Sequence, residues 1–458
     1  MAISTAAVED IIASSLWNEL ADLINGTTGG GEPVAFTDYS NATTPNLKVR
    51  SQHATGTAFN VVQTISAVDY NVIQTKNAAA AAGIRTYIRG GVSHGPQTFD
   101  VEHPLFGAVG DGTTDDTAAI QACIDYVKTL IPVIPNAYYG AVIRFNSPQY
   151  VVSSLTIFDT HNIKFQGMSG HSGTIFKATK QTTGTHTAAG YAVFDCVGSA
   201  ALDFENILVD TSGVVDATNV VPMAGWNFGG SDLVLSAVNS TANRLTKCGS
   251  FGRFQVAPLI TTFATDITLV GCGFQQWKKD RPCWLAGSSV PSSVGTVESS
   301  YAAAVYPPTA YGGGGGDHTA LGCEFHNQPA SAPSTETAPY NTGNGCAIYA
   351  KGALGIRVVG GNMASQGSGI AILESCETVT FDGGQWYSDS AANLPANAVV
   401  LLGANKGIVL DNVQLNNMPS VGGAILRFVD ASSLTKSSVR NLVRSSVTVT
   451  PVAISSAS

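Results

Sequence analysis

The segment FGAVGDGTTDDTAAI at Phe106–Ile120 combines a tight turn with the beginning of a helix. Gly110 and Gly112 flank an aspartate, and glycine readily adopts the positive φ angles that tight turns require. Thr114 or Asp115 can cap the helix, because a side-chain oxygen there can accept the free N–H groups of the first turn. For the three aspartates we predict turn and cap roles, with a metal or catalytic role as the alternative: Asp111, Asp115 and Asp116.

The residues that follow this turn predict a helix with one apolar face. Its apolar positions are Ala118, Ala119, Ile120, Cys123, Ile124 and Val127. We expect this helix to cover the open end of a stack of strands, since an uncovered end would expose unpaired backbone groups.

Phe106–Asp125 (FGAVGDGTTDDTAAIQACID), Ala141–Phe145 (AVIRF) and Tyr150–Leu155 (YVVSSL) together resemble the opening of pectate-lyase-superfamily β-helices, the bacteriophage tailspikes among them. Leu105 departs from the pattern, because that family usually has an acidic residue there. The resemblance implies an all-β fold, a right-handed parallel β-helix (solenoid) with an N-terminal capping helix and a small, partly helical N-terminal region.

An eight-residue sequence pattern recurs along the chain. Each copy, called a phrase below, reads as a strand with alternating apolar residues, a corner residue and a second strand. The phrases read LDFENILV, ITLVGCGF, HTALGCEF, IRVVGGNM, VTFDGGQW and IVLDNVQL, with corners at Asn206, Gly271, Gly322, Gly360, Gly383 and Asn412. The last two intervals, 23 and 29 residues, are each about one coil of a solenoid, and the longer ones must hold extra coils or inserted loops. Asn and Gly suit corners because both tolerate left-handed backbone geometry.

The aligned phrases predict two inward columns of core residues. These are Phe204, Leu269, Ala320, Val358, Phe381 and Leu410, and then Val209, Phe274, Phe325, Met363, Trp386 and Leu415. Cys272 and Cys323 share an inward column, so the eight scattered cysteines are predicted to be buried free thiols. An outward column of Glu324, Asn362, Gln385 and Gln414 forms a polar ladder, with an ordinary solvated face as the alternative.

Composition excludes several classes of function. Charged residues are only 12% of the chain and its net charge is −9, so a groove for nucleic acid is not expected. No CxxC pair or metal-ligand spacing is present, and we predict no metal and no cofactor. Met1–Trp17 lacks the pattern of a secretory leader, and no apolar run suits membrane insertion.

Three regions are predicted along the chain. In residues 1–100, Val8–Asn25 has helical apolar spacing. This region resembles the beginnings of phage appendage proteins, which implies a virion-attachment region, with a capping region as the alternative. Residues 101–431 form the β-helix domain. Residues 432–458 form a terminal coil or a segment for trimer contact.

The long excursion between Gln275 and Asp317 is the candidate site. Its aromatic and charged residues suit glycan binding, and we assign substrate binding to Trp277, Lys278, Arg281 and Trp284. If the protein cleaves a polysaccharide, the predicted catalytic carboxylates are Glu324 with Asp317 or Asp280. The alternatives are a loop that packs on a neighbouring subunit, and a stacked carboxylate pair at Asp382 and Asp411.

The resemblance implies a phage tailspike or tail-fibre protein, a homotrimer made in the host cytoplasm and carried on the virion tail. Such a protein recognises bacterial surface polysaccharide, with or without depolymerase activity. For a depolymerase activity we favour hydrolysis over elimination, because the sequence shows no acidic cluster dense enough to bind calcium. Its N-terminal region is expected to attach to other tail or baseplate proteins. The alternatives are a non-enzymatic structural appendage and, with less support, a bacterial pectate-lyase-like enzyme.

Overall fold

The computed structural model describes residues 46–52, 58–64, 98–130, 140–158, 160–169, 173–178, 192–213, 222–229, 240–254, 256–277, 281–287, 315–327, 345–365, 369–387, 397–416 and 424–445. The chain divides into two units, Met1–His94 and Gly95–Ser458. In the first unit, strands β1 (Asn46–Gln52) and β2 (Ala58–Thr64) pair antiparallel. The helix predicted at Val8–Asn25 lies outside the described residues.

In the second unit the described strands pair in parallel and form three stacks, through which the chain passes in turn. Stack A contains Thr98–Asp100, Ala141–Arg144, Ile163–Gln166, Asp203–Glu205, Arg244–Thr246, Thr268–Val270, Gly316–Leu321, Leu354–Val359, Glu377–Asp382, Val409–Asp411 and Ser438–Arg440. Stack B contains Asp111–Asp115, Gln149–Val152, Thr174–Ala178, Ile207–Asp210, Gly249–Gly252, Gly273–Gln276, Glu324–Asn327, Asn362–Ala364, Gln385–Tyr387, Gln414–Asn416 and Val443–Ser445. Stack C contains Leu155–Thr156, Ala192–Asp195, Ala224–Asn227, Leu259–Thr262, Pro282–Gly287, Cys346–Lys351, Gly369–Glu374, Asn397–Lys406 and Ala424–Thr435. The predicted parallel β-helix is thereby confirmed.

Helix α1 (Thr117–Leu130) takes the place of a stack C strand in the first coil. Its buried residues are Ile120, Cys123, Ile124 and Val127, as predicted. Ala118 is exposed, so its assignment to the apolar face is wrong; it sits on the solvent side of the first turn. The helix contacts the stack C strand of the second coil and stack A strands, so it covers the end of the core.

The aspartates of the opening segment have the predicted turn and cap roles. Asp115 Oδ1 accepts the N–H of Thr117 at 3.0 Å and so caps α1. Asp111 Oδ1 accepts the N–H groups of Thr114 and Thr113, and these bonds hold the pKa of the Asp111 carboxyl well below its usual range. The third carboxylate, Asp116, is buried and accepts the backbone N–H groups of Val109 and Gly110 at 2.6 and 3.3 Å.

The corner between stack A and stack B repeats a single residue in left-handed geometry. Its φ angles are 56° at Asn206, 51° at Lys247, 58° at Gly271, 60° at Gly322, 66° at Gly360, 76° at Gly383, 55° at Asn412 and 50° at Asn441. Lys247 marks a whole coil between Asn206 and Gly271 that the sequence pattern did not identify. The two other long intervals, from Gly271 to Gly360, are single coils with inserted segments.

The interior is one continuous apolar column. Both predicted inward columns are buried, and all eight cysteines are buried and unpaired. Aromatic rings on adjacent coils stack inside it: Phe165 on Phe204 with centroids 4.6 Å apart, and Phe194 on Trp226 at 4.4 Å. Each coil therefore buries its apolar side against its neighbours.

Stack C is largely buried on both faces. Its inward residues join the main core, and its outward residues form a second buried cluster that includes Ile260, Leu285, Tyr349, Ile372 and Val400. Its strands consequently lack the polar and apolar alternation of stacks A and B. Among the described strands, the exposed polar residues lie mainly on the outer faces of stacks A and B.

Candidate functional site

The outer face of stack B from Gly249 to Asn416 carries two rows of side chains, which we call the ladder face. The first row contains Gly249, Gly273, Glu324, Asn362, Gln385 and Gln414, and the second contains Phe251, Gln275, His326, Ala364, Tyr387 and Asn416. Adjacent coils are about 4.8 Å apart and the rows about 6.6 Å apart, as strand geometry requires. The predicted polar ladder is therefore in register along the solenoid axis.

Glu324 lies on the ladder face and is exposed to solvent, whereas Asp317 lies on stack A. The Nδ2 of Asn362, one coil further, donates to Glu324 Oε1 at 3.1 Å. Asp317 is exposed near the beginning of a stack A strand, and the Gly322 corner separates it from Glu324. The two predicted catalytic carboxylates thus belong to different sheets of the solenoid.

Two of the predicted substrate-binding residues are not available to a glycan. Trp284 is fully buried in stack C, where it stacks on Phe325 at 5.4 Å and donates its Nε1 to Thr261 Oγ1 at 2.8 Å. Arg281 is only 7% exposed. Both assignments are wrong. Trp284 lies in the strand Pro282–Gly287, which is buried on both faces and is not part of a loop, and Arg281 is buried immediately before that strand. Lys278 and Asp280 lie outside the described residues.

Trp277 is half-buried at the end of a stack B strand, beside the ladder face. Its ring lies 6.4 Å from that of Phe251 on the preceding coil. Its backbone N–H donates to Gly252 O at 2.8 Å, which fixes the residue to that coil. The two rings form an aromatic pair at the N-terminal end of the ladder face.

His326 and Tyr387 form a second aromatic pair, which the sequence analysis missed. The two residues are two coils apart, about 9.6 Å between backbones, and they bridge the small side chain of Ala364. Tyr387 Oη lies 3.2 Å from His326 Nε2, and the rings meet edge to face with centroids 5.6 Å apart. A methyl group at residue 364 leaves the space that this contact needs.

The alternative carboxylate pair, Asp382 and Asp411, is in register on stack A. Each carboxylate is bound by the corner asparagine of the next coil: Asn412 Nδ2 donates to Asp382 at 3.3 Å, and Asn441 Nδ2 donates to Asp411 at 2.9 Å. Arg440 also pairs with Asp411 at 3.3 Å. These bonds fit a structural role at successive corners.

The chemistry of the ladder face is that of a sugar-binding surface. Half-exposed aromatic rings can stack on sugar rings, and side-chain amides can donate to and accept from hydroxyl groups. The distance along the axis from Phe251 to Tyr387 is four coils, or about 19 Å. Among the described stack B strands of this face, Glu324 is the one carboxylate.

Residues 104–243 match a family model described as rhamnogalacturonase A/epimerase, pectate lyase-like. No curated protein sequence matches the chain. Within the described part, no helix has both the length and the apolar character needed to cross a membrane.

Solved structures with a similar fold come from enzymes, an adhesin and a phage. DFA-IIIase from Arthrobacter chlorophenolicus A6, in complex with GF2, is 12% identical over 76% of this chain and 88% of its own, with a TM-score of 0.48. The surface protein and adhesin PfbA of Streptococcus pneumoniae is 12% identical over 79% of this chain and 100% of its own, with a TM-score of 0.41. ORF18 of Geobacillus virus E2 is 14% identical over 92% of this chain and 71% of its own, with a TM-score of 0.36.

The family match begins two residues before the opening segment and extends through the first coils. Over these residues it agrees with the resemblance of the opening segment to pectate-lyase-like proteins. Residues 104–243 are accordingly pectate-lyase-like in sequence, within a chain whose described residues from Thr98 to Ser445 fold as a parallel β-helix.

Proposed function

We propose that this chain is a phage tailspike or tail-fibre receptor-binding protein whose ladder face binds bacterial surface polysaccharide. The observation that supports this most is the presence of two half-buried aromatic pairs on the outer face of stack B, beside a row of amides in register. The sequence resemblance of the opening segment to tailspikes supports the virion tail as its place of action. Synthesis in the host cytoplasm follows from that assignment.

The ladder face supports binding of polysaccharide more strongly than its cleavage. Hydrolysis of a glycosidic bond generally requires two carboxyl groups about 5–9.5 Å apart. In the described part of the ladder face Glu324 has no second carboxylate beside it, so binding is the function that this geometry supports. A non-enzymatic structural appendage is the rival proposal, and it predicts no affinity for any host polysaccharide.

Assembly as a homotrimer, with attachment to other tail proteins through residues 1–100, belongs to the same proposal. Exposed apolar side chains on the last described coil support a further protein contact: Val439 and Val443. Light scattering on the full chain is expected to give three times the mass of one chain. A monomer would contradict the tailspike assignment.

Substitutions on the ladder face are expected to abolish most of the binding. Tyr387→Ala and Trp277→Ala should each weaken the affinity for polysaccharide purified from candidate hosts by about 30-fold, the usual cost of losing a central aromatic contact. Tyr387→Phe keeps the ring and should lose less. Affinity is measured by calorimetry or by retention on immobilised polysaccharide.

The matched control is Leu321→Ala, in the same coil as Glu324 but on the outer face of stack A. It should bind as the unchanged protein does. Thermal unfolding of every variant shows whether the solenoid is intact. Equal affinity of all variants for a bound polysaccharide would place the binding surface elsewhere.

A further inference from the structure

The ladder face differs in charge from the neighbouring face of the same solenoid. From Gly249 to Asn416, its described strands contain no lysine and no arginine, and one acidic residue, Glu324. In the same coils, the described strands of stack A carry six charged residues that are not buried: Arg244, Asp317, Arg357, Glu377, Asp382 and Asp411. The scarcity of charge is therefore a property of the ladder face and not of the whole chain.

Amides take the place of charges on this face. Asn362, Gln385, Gln414 and Gln275 lie in register with Glu324 or His326 on successive coils. Two contacts keep such groups in place: Gln414 Nε2 donates to Asn416 Oδ1 at 3.1 Å, and Asn362 Nδ2 donates to Glu324 Oε1 at 3.1 Å. Each amide offers both donors and acceptors, which is the complement of sugar hydroxyl and acetamido groups.

An acidic glycan would be poorly matched to this arrangement. Its carboxylates would meet Glu324 without a described lysine or arginine on the ladder face to pair with them. Like charges brought together at an interface suppress the wrong partner, and complementary cations are the usual means of binding an anion.

From these charges we infer that the ladder face takes an uncharged glycan, bearing hydroxyl and acetamido groups, rather than a uronate-containing one. The inference rests on the proposed glycan-binding function and specifies its ligand class. The glycan lies along the solenoid axis, where the aromatic pair Phe251–Trp277 and the pair His326–Tyr387 can both contact it.

The test uses polysaccharides from candidate hosts, separated by anion exchange into neutral and acidic fractions. The acidic fraction is also tested after chemical reduction of its carboxyl groups to alcohols. The full chain should bind the neutral fraction with an affinity that changes less than about two-fold between ~0.05 and ~0.5 M NaCl, since salt screens only interactions between charges. It should bind the acidic fraction at least about ten-fold more weakly, and carboxyl reduction should raise that affinity.

A charge reversal provides a matched pair of variants. Glu324→Lys should gain affinity for the acidic fraction, and that gain should disappear at high salt. Leu321→Lys, in the same coil on stack A, should not show it.

The possible outcomes separate this inference from the function on which it rests. Tight, salt-sensitive binding of the acidic fraction that weakens on carboxyl reduction would overturn the inference and leave glycan binding in place. Binding of neither fraction would overturn the proposed function, and the inference with it.

Discussion

Replacing Trp226 by alanine is expected to lower the free energy of unfolding by about 3–5 kcal/mol, the usual cost of removing a large buried aromatic ring. Trp226 is fully buried in stack C, stacked on Phe194 at 4.4 Å and edge to face with Phe204 at 4.8 Å. The cavity cannot be filled by a simple shift, because these rings are fixed by strands on adjacent coils. Denaturant unfolding, followed by circular dichroism, measures the change.

Phe251→Ala is the control for this substitution. Phe251 is a half-exposed aromatic residue on stack B, and its loss should cost about 1 kcal/mol or less. A loss below about 1.5 kcal/mol for Trp226→Ala would show that the stacked rings do not form the rigid interior described above.

Acid is expected to destabilise the solenoid through His318. Burial lowers the pKa of His318 to about 4, against a smaller opposing effect of the Thr261 backbone. In the unfolded chain a histidine has a pKa of about 6.5, so between these values the unfolded state binds more protons than the folded state. Stability therefore falls as the pH drops through this window, by about 3 kcal/mol in total.

His318→Asn should remove this contribution and keep the fold. His318 Nδ1 accepts the N–H of Ile267 at 3.4 Å, and Asn243 Oδ1 accepts the N–H of Leu202 at 2.9 Å from the same register position. Asparagine can thus supply the acceptor without titrating. Urea unfolding at about pH 7 and about pH 4.5 measures the free energy of unfolding of both proteins. This free energy should fall less at the lower pH in the variant, because carboxylates contribute equally to both proteins. Equal losses would contradict the role assigned to His318.

The sequence predicted the solenoid core because stacks A and B obey simple rules. Alternation places residues such as Phe204 and Phe325 inward, and a Gly or Asn at each corner marks the passage between strands. The coil at Lys247 escaped detection because lysine is an unusual residue at a positive φ angle. The sequence pattern recognised a corner by its residue type, Gly or Asn, and therefore missed a corner with the same backbone geometry but a lysine.

The strands of stack C could not be predicted from an alternation of polar and apolar residues. A strand that is buried on both faces has no polar side, so PCWLAG at Pro282–Gly287 could not be told from part of a loop with an aromatic residue. Trp284 was assigned to the site for that reason, although it belongs to the core.

The candidate site was predicted only in part. The amide ladder follows from the repeat, because its members occupy the same position in each phrase. The contact between His326 and Tyr387 joins residues 61 positions apart across an intervening coil. Its one sequence signal is the small residue Ala364 between two rings in the same column, which becomes visible only when the register of the coils is known.

Hydroxyl-radical footprinting of the full chain with and without bound host polysaccharide tests the ladder face most directly. Oxidation of Phe251, Trp277, His326 and Tyr387 should fall when the glycan binds. Leu321 on stack A and Met168, which are both 39% exposed, should be oxidised to the same extent in both samples. Protection of Leu321 or Met168 with unchanged oxidation of the four aromatic side chains would contradict the account.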